Sequence, residues 1–145
     1  MADDVLLNKA ATIERCVRRA REEYAHNPAT FGDDYTRQDA AILNIQRACE
    51  AALDMGQHVI RRERIGIPQS ARDVFALLAA ANWIDGDLAS ALQRMVGYRN
   101  IAVHEYQTLQ LPITIAVITR HLVEFEDYAK ALLLRDAQTE GGASN

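Results

Sequence analysis

Ala40-Ala41-Ile42-Leu43-Asn44-Ile45-Gln46-Arg47-Ala48-Cys49-Glu50-Ala51-Ala52 is the stretch whose periodicity decides the fold. Apolar residues recur at three- and four-residue intervals through Ile42, Ile45, Cys49 and Leu53, and again at Val59 and Ile60. Asn44, Arg47, Glu50, Asp54 and Gln57 fall on other faces. This is the period of a helix with one buried stripe, not the alternation of a strand. The pattern predicts a long helix ending near Arg62. Its expected start is Thr36, where Asp39 three positions later has the spacing of a capping box.

The same period extends outward in both directions. Upstream, Leu6, Ala10, Ile13, Val17, Ala20 and Tyr24 predict a first helix over Asp3 to Ala25, followed by a breaker-rich loop from His26 to Asp34. Downstream, Gly66 and Pro68 interrupt the pattern, and Ser70 with Asp73 caps a short Ala- and Leu-rich helix over Ala71 to Ala81. Asp85-Gly86-Asp87 marks the next start, with Leu88, Leu92, Met95 and Val96 on one stripe that continues to Arg99, Ala102 and Tyr106. After a break at Gln107 to Leu111, Pro112 suits the first turn of a last helix with the stripe Ile115, Thr119, Leu122, Glu126, Ala129 and Leu133. The expectation is an all-α antiparallel bundle of four long helices and one short one. It forms a single domain over residues 1–138 with a flexible C-terminal tail at 139–145.

A chain of 145 residues buries enough surface to fold without staples, and three prolines with seven glycines argue against disorder and against a turn-rich β-protein. Cys16 and Cys49 sit at apolar helical positions and read as reduced core thiols. The acidic start Met1-Ala2-Asp3-Asp4 does not resemble a signal peptide, and the apolar run Phe75 to Ile84 is too short to cross a bilayer. A cytoplasmic location with no membrane partner is expected. His26, His58 and His121 have no ligand-spaced companions, so neither a metal nor a cofactor is expected. Phe75, Trp83 and Tyr98 read as core or interface aromatics.

The net charge of -4 weighs against nucleic-acid binding unless basic residues are concentrated locally. Fourteen of the sixteen basic residues are Arg, and they cluster at Arg15, Arg18, Arg19 and Arg21 and again at Arg61, Arg62 and Arg64. Either cluster alone reads first as a solvated face paired with nearby acids, with a phosphate-binding patch as the alternative.

Chemistry is concentrated in Gly97-Tyr98-Arg99-Asn100-Ile101-Ala102-Val103-His104-Glu105-Tyr106. A shuffled chain of this composition would contain Arg-x4-His-x-Tyr on the order of 0.01 times. On a regular helix Asn100 and His104 share one face and Arg99 and Tyr106 another, while Arg99 and His104 diverge by about 140°. Convergence therefore requires Arg99 to reach round, the helix to loosen near His104, or a second subunit to contribute. A two-fold pairing of the fourth helix also accounts for a cation on an otherwise apolar stripe, so a homodimer is expected. His104, titrating near neutrality, suits general acid or base work, and Arg99 suits bidentate phosphate contact. Asn100 and Tyr106 are supporting candidates. Gly97 reads either as a point of close approach or as a tolerated helix glycine.

The segment Arg99 to Tyr106 resembles the Arg-x4-6-His motif of HEPN domains, in the Arg-x4-His-x-Tyr form of the HepT-like toxins. The long helix over 40–52 and the last amphipathic helix extend the resemblance over most of the chain. It implies a HEPN-type fold and a metal-independent endoribonuclease acting on RNA as a homodimer. The implied partner is a minimal nucleotidyltransferase antitoxin that silences the toxin by AMP transfer to the motif tyrosine, Tyr106. The competing expectation is a non-catalytic helical partner that binds such a nucleotidyltransferase and helps present its substrate.

Overall fold

In a computed structural model the backbone is described for residues 2–143 and side chains to Thr139. Among the described residues six α-helices follow in order: α1 (Asp4–Ala25), α2 (Tyr35–Glu63), α3 (Ala71–Ala80), α4 (Gly86–His104), α5 (Leu111–Ala116) and α6 (Leu122–Ala143). One π-helical turn, Val117–His121, joins α5 to α6, so that the expected last helix is one rod carrying an internal irregularity. Among the described residues there is no strand, and no helix is long and apolar enough to cross a membrane. Of the expected tail, the α6 backbone is described to Ala143; the last two residues lie outside the described residues.

Side-chain contacts fix the helix directions. Glu23 near the end of α1 pairs with Arg37 at the start of α2, while Asp3 before α1 meets His58 and Arg62 at the end of α2, so these helices are antiparallel. Arg21 pairs with Glu126 at the start of α6. Asp136 late in α6 pairs with Arg62, so α6 runs parallel to α2 and antiparallel to α1. Tyr106, just past α4, reaches Asp39 near the start of α2, which sets α4 antiparallel to α2. The four long rods are thus an antiparallel bundle with the short α3 packed on α2 and α4, as the periodicity predicts.

Burial follows the stripes closely in α1 and α2: Leu6, Ile13, Val17, Ala20, Ile45, Ala48, Cys49, Ala52 and Val59 are all in the core. The last helix departs from expectation. Its buried positions are Thr114, Val117, Ile118, Leu122, Phe125, Tyr128, Ala129, Leu132 and Asp136, so Leu122 and Ala129 are buried as expected whereas Thr119 and Glu126 are exposed. The π turn admits an extra residue and rotates the buried face relative to a regular spiral.

Helix ends follow their local chemistry, with one correction. Asp3 caps α1, Ser70 caps α3 and Asp85 caps α4, each accepting from a first-turn N–H. The cap of α2 is Asp34, which accepts from the Arg37 N–H at 3.1 Å, rather than Thr36. Asp39 is accordingly not part of a capping box, and its carboxylate is left for a tertiary partner. The end of α2 is closed by Arg64 in a left-handed conformation (φ 54°), with the Ile65 N–H returning to the Ile60 carbonyl at 3.0 Å.

Asp3 anchors one end of the bundle. Besides capping α1 it accepts from His58 Nε2 at 2.7 Å and from Arg62 Nη1 at 2.8 Å, and Arg62 also donates to the buried Asp136 at 2.7 Å. Arg62 and Arg135 both lie over the Trp83 ring. Burial alone would raise the Asp3 pKa, but hydrogen bonds from His58, the Leu6 N–H and Arg62 hold it down at about 2.

Candidate active site

Arg99 lies two-thirds of the way along α4, half-buried, on the side facing α2. Its guanidinium acts directly on the Cys49 thiol of α2; burial pushes that thiol up to about 11 against the opposing pull of the Arg99 charge. Arg99 forms no ion pair among the described residues, and its Nε is a buried N–H with no acceptor. A permanent cation with an unsatisfied buried donor carries a cost of about 1–3 kcal/mol unless an acceptor arrives. A phosphate oxygen is such an acceptor.

His104 is the final residue of α4 and is exposed. The helix remains regular to that point, with the Glu105 N–H still donating to the Ile101 carbonyl at 2.8 Å. Loosening of the helix between Arg99 and His104 is therefore not the device that unites them: within one chain the two side chains leave α4 about 140° apart. Asn100, half-buried, shares the His104 column. Nearby on α4 and α5, Ile101, Val103 and Ile113 are apolar and each between 38% and 50% exposed.

Tyr106 opens a 3-10 turn over Tyr106–Thr108, and its hydroxyl donates to Asp39 Oδ1 of α2. Arg99 and Tyr106 thus both face α2, as their seven-residue spacing predicts, although α4 stops between them. Burial first, and then the hydrogen bond and negative charge of Asp39, push the Tyr106 phenol up to about 12. Tyr98 is different: it is buried, shares a 2.9 Å hydrogen bond with Thr114 Oγ1, and packs α4 against α5. Gly97 is a point of close approach within the chain, since a Cβ there would lie 3.1 Å from Arg72 Nη2.

Two residues of this neighbourhood, Asp39 and Cys49, are not evident from the motif. Asp39 lies 67 positions before Tyr106, and its spacing from Thr36 offers a local explanation that hides the distant one. Within the second basic cluster, Arg62 is wholly engaged with Asp3, Glu63 and Asp136 and so is structural, while Arg61 and Arg64 are exposed. Arg15 and Arg19 of α1 are exposed and, with Arg47, Glu50, Asp54 and the buried Asn44 of α2, line a shallow groove of about 220 Å³. A more enclosed cleft of about 410 Å³, flanked by Met95, Tyr98, Ile113 and Val117, lies beside the motif and includes none of its four candidate residues. Among the described residues no three of His, Cys, Asp or Glu gather as a metal-holding group.

An all-α bundle with an Arg-x4-His-x-Tyr segment at the end of its fourth helix defines a protein of the HEPN class. The chain belongs to the HepT-like ribonuclease family, whose model matches residues 13–132. It is 48% identical over 126 residues to the mRNA nuclease HepT of Shewanella oneidensis, an alignment covering 87% of this chain and 94% of that one. A crystal structure of a toxin-antitoxin with AMP-PNP superposes with a TM-score of 0.86 at 45% identity, covering 90% of this chain and 98% of the other. The tri-AMPylated Shewanella oneidensis HEPN toxin in complex with its MNT antitoxin gives the same TM-score at 46% identity, covering 90% and 97%.

Proposed function

We propose that this protein is a metal-independent RNA endonuclease, the toxin of a cytoplasmic toxin-antitoxin pair, and that a minimal nucleotidyltransferase antitoxin silences it by transferring AMP to Tyr106. The unpaired Arg99 guanidinium carries this reading: its buried Nε lacks an acceptor, and its position on the Tyr106 side of α4 suits a phosphodiester. Similarity to an mRNA nuclease and to an AMPylated toxin held by its antitoxin supports both halves of the proposal.

RNA cleavage by transesterification needs a base for the 2′-hydroxyl proton, an acid for the leaving 5′-oxygen and a cation for the charged phosphorane. His104 moves the proton, Arg99 holds the phosphorane oxygens, and Asn100, on the His104 column, orients the imidazole or donates to a phosphate oxygen. The divergence of Arg99 and His104 on a regular helix supports a homodimer, in which the apolar surface at Ile101, Val103 and Ile113 meets its copy and each Arg99 faces the other chain's His104. Arg15, Arg19 and Arg47 offer further phosphate contacts along the RNA.

The test is cleavage of RNA by the purified protein in the presence of EDTA. The wild type is expected to cut, and His104→Ala to be inactive while remaining a folded dimer. No cutting by the wild type under any metal condition would instead favour a non-catalytic partner of the nucleotidyltransferase.

A further inference from the structure

The hydrogen bond from Tyr106 to Asp39 ties the turn after α4 to α2 and joins the phenol to a carboxylate with no other partner among the described residues. It is also accessible: Tyr106 is 43% exposed and Asp39 lies at the bundle surface. We propose that Asp39 is the proton acceptor for adenylyl transfer to Tyr106, so that the toxin itself supplies the base for its own modification. The inference rests on the adenylyl-transfer reading given above.

In the step, the phenolic oxygen attacks the α-phosphorus of ATP held by the nucleotidyltransferase. The new O–P bond forms as the bond to the pyrophosphate bridging oxygen breaks, pyrophosphate leaves with the electron pair, and the phenolic proton passes to an Asp39 oxygen and then to water. A base is needed because the phenol is pushed up to about 12; at pH 7 only about one molecule in 10⁵ would be phenoxide. The charged or ionisable groups acting on Tyr106 are Asp39 and, more weakly, Tyr98; neither is a cation that would stabilise a free phenoxide. Asp39 therefore holds the phenol in place, keeps it neutral, and receives its proton only as the O–P bond forms. In the product the oxygen has no proton to donate, and the phosphodiester charge would repel Asp39, so the modified side chain leaves α2.

The test uses the full chain, the MNT antitoxin of Shewanella oneidensis and α-³²P-labelled ATP, with the Shewanella toxin as a positive control and Tyr106→Phe as a blank. Asp39→Asn retains an oxygen that accepts the phenolic hydrogen bond but cannot take the proton. Labelling of D39N is expected to fall by about 100-fold or more at pH 7. Its rate should then climb with pH toward the phenol value, while the wild-type rate is nearly flat from pH 6 to 8. Asp39→Glu should recover part of the rate, and circular dichroism should show both variants folded. Labelling of D39N within threefold of wild type with the same pH profile would overturn the role of Asp39 and leave the transfer reading standing. A wild-type chain left unlabelled beside a labelled Shewanella control would remove the transfer reading and the role of Asp39 with it.

Discussion

The Tyr128 hydroxyl lies 2.7 Å from the point a Cβ on Gly56 would occupy, and Val74 Cγ1 approaches that point equally closely. Gly56 is thus where α3 and α6 both close upon α2, and the Tyr128 hydroxyl, which donates to the Ala52 carbonyl at 2.7 Å, is pinned there. Gly56→Ala should destabilise the bundle by about 1–3 kcal/mol, because the neighbours are a ring held by a hydrogen bond and a β-branched side chain that cannot swing away. Gly86→Ala is the control: nothing lies within 4 Å of a Cβ there, and its stability should match or slightly exceed wild type. Thermal unfolding of the two variants checks the contrast.

Acid should weaken the C-terminal end of α2 through Asp3. Its folded pKa of about 2 lies below the ordinary value of 3.8, so its stabilising contribution is complete above pH 3.8 and disappears as pH falls toward 2. Asp3→Asn should lower stability at pH 7 by about 1–2 kcal/mol through a weaker cap and the lost charge opposite Arg62. It should also flatten the loss of melting temperature between pH 4 and pH 2. An unchanged slope in that window would mean that another carboxylate controls acid unfolding.

Helix α2 and its neighbours show what the amino-acid order reveals and what it hides. The stripe Ile42, Ile45, Cys49 and the caps at Ser70 and Asp85 depend on neighbours within one turn, so local spacing suffices to read them. The cap of α2 is misread because Asp34 and Thr36 are both good capping residues two positions apart, and the choice rests on how the 31–33 turn delivers the chain. The stripe of the last helix is only partly read: Leu122 and Ala129 are buried as expected, but Thr119 falls within the π turn, which has no composition signature. In the candidate site, Arg99, Asn100, His104 and Tyr106 stand out by type and spacing, whereas Asp39 becomes visible only once α2 and α4 are laid side by side.

Arg99 should separate stability from activity. Among the described residues its buried Nε has no acceptor and its charge no counter-ion, so Arg99→Met should leave the melting temperature unchanged or raise it. The same variant should lose RNA cleavage, and Arg99→Lys should lose about 100-fold because an ammonium cannot replace the two-pronged guanidinium on a phosphorane. If Arg99→Met lowered stability by several kcal/mol without affecting cleavage, the residue would be a packing element rather than a phosphate clamp.

Subunit mixing offers the sharpest check on how Arg99 and His104 cooperate, because α4 stays regular through His104 and directs them apart. Arg99→Ala and His104→Ala should each be inactive alone. If every site takes its arginine from one subunit and its histidine from the other, a mixed dimer keeps one intact site, made from the Arg99 of the H104A chain and the His104 of the R99A chain. Random re-pairing of equal amounts yields mixed dimers as half of the population with one site in two, so activity should return to about a quarter of wild type. If each chain used its own pair, no mixture would cut. A cleavage assay after unfolding and refolding the two variants together distinguishes these outcomes, and mixing without refolding supplies the zero point.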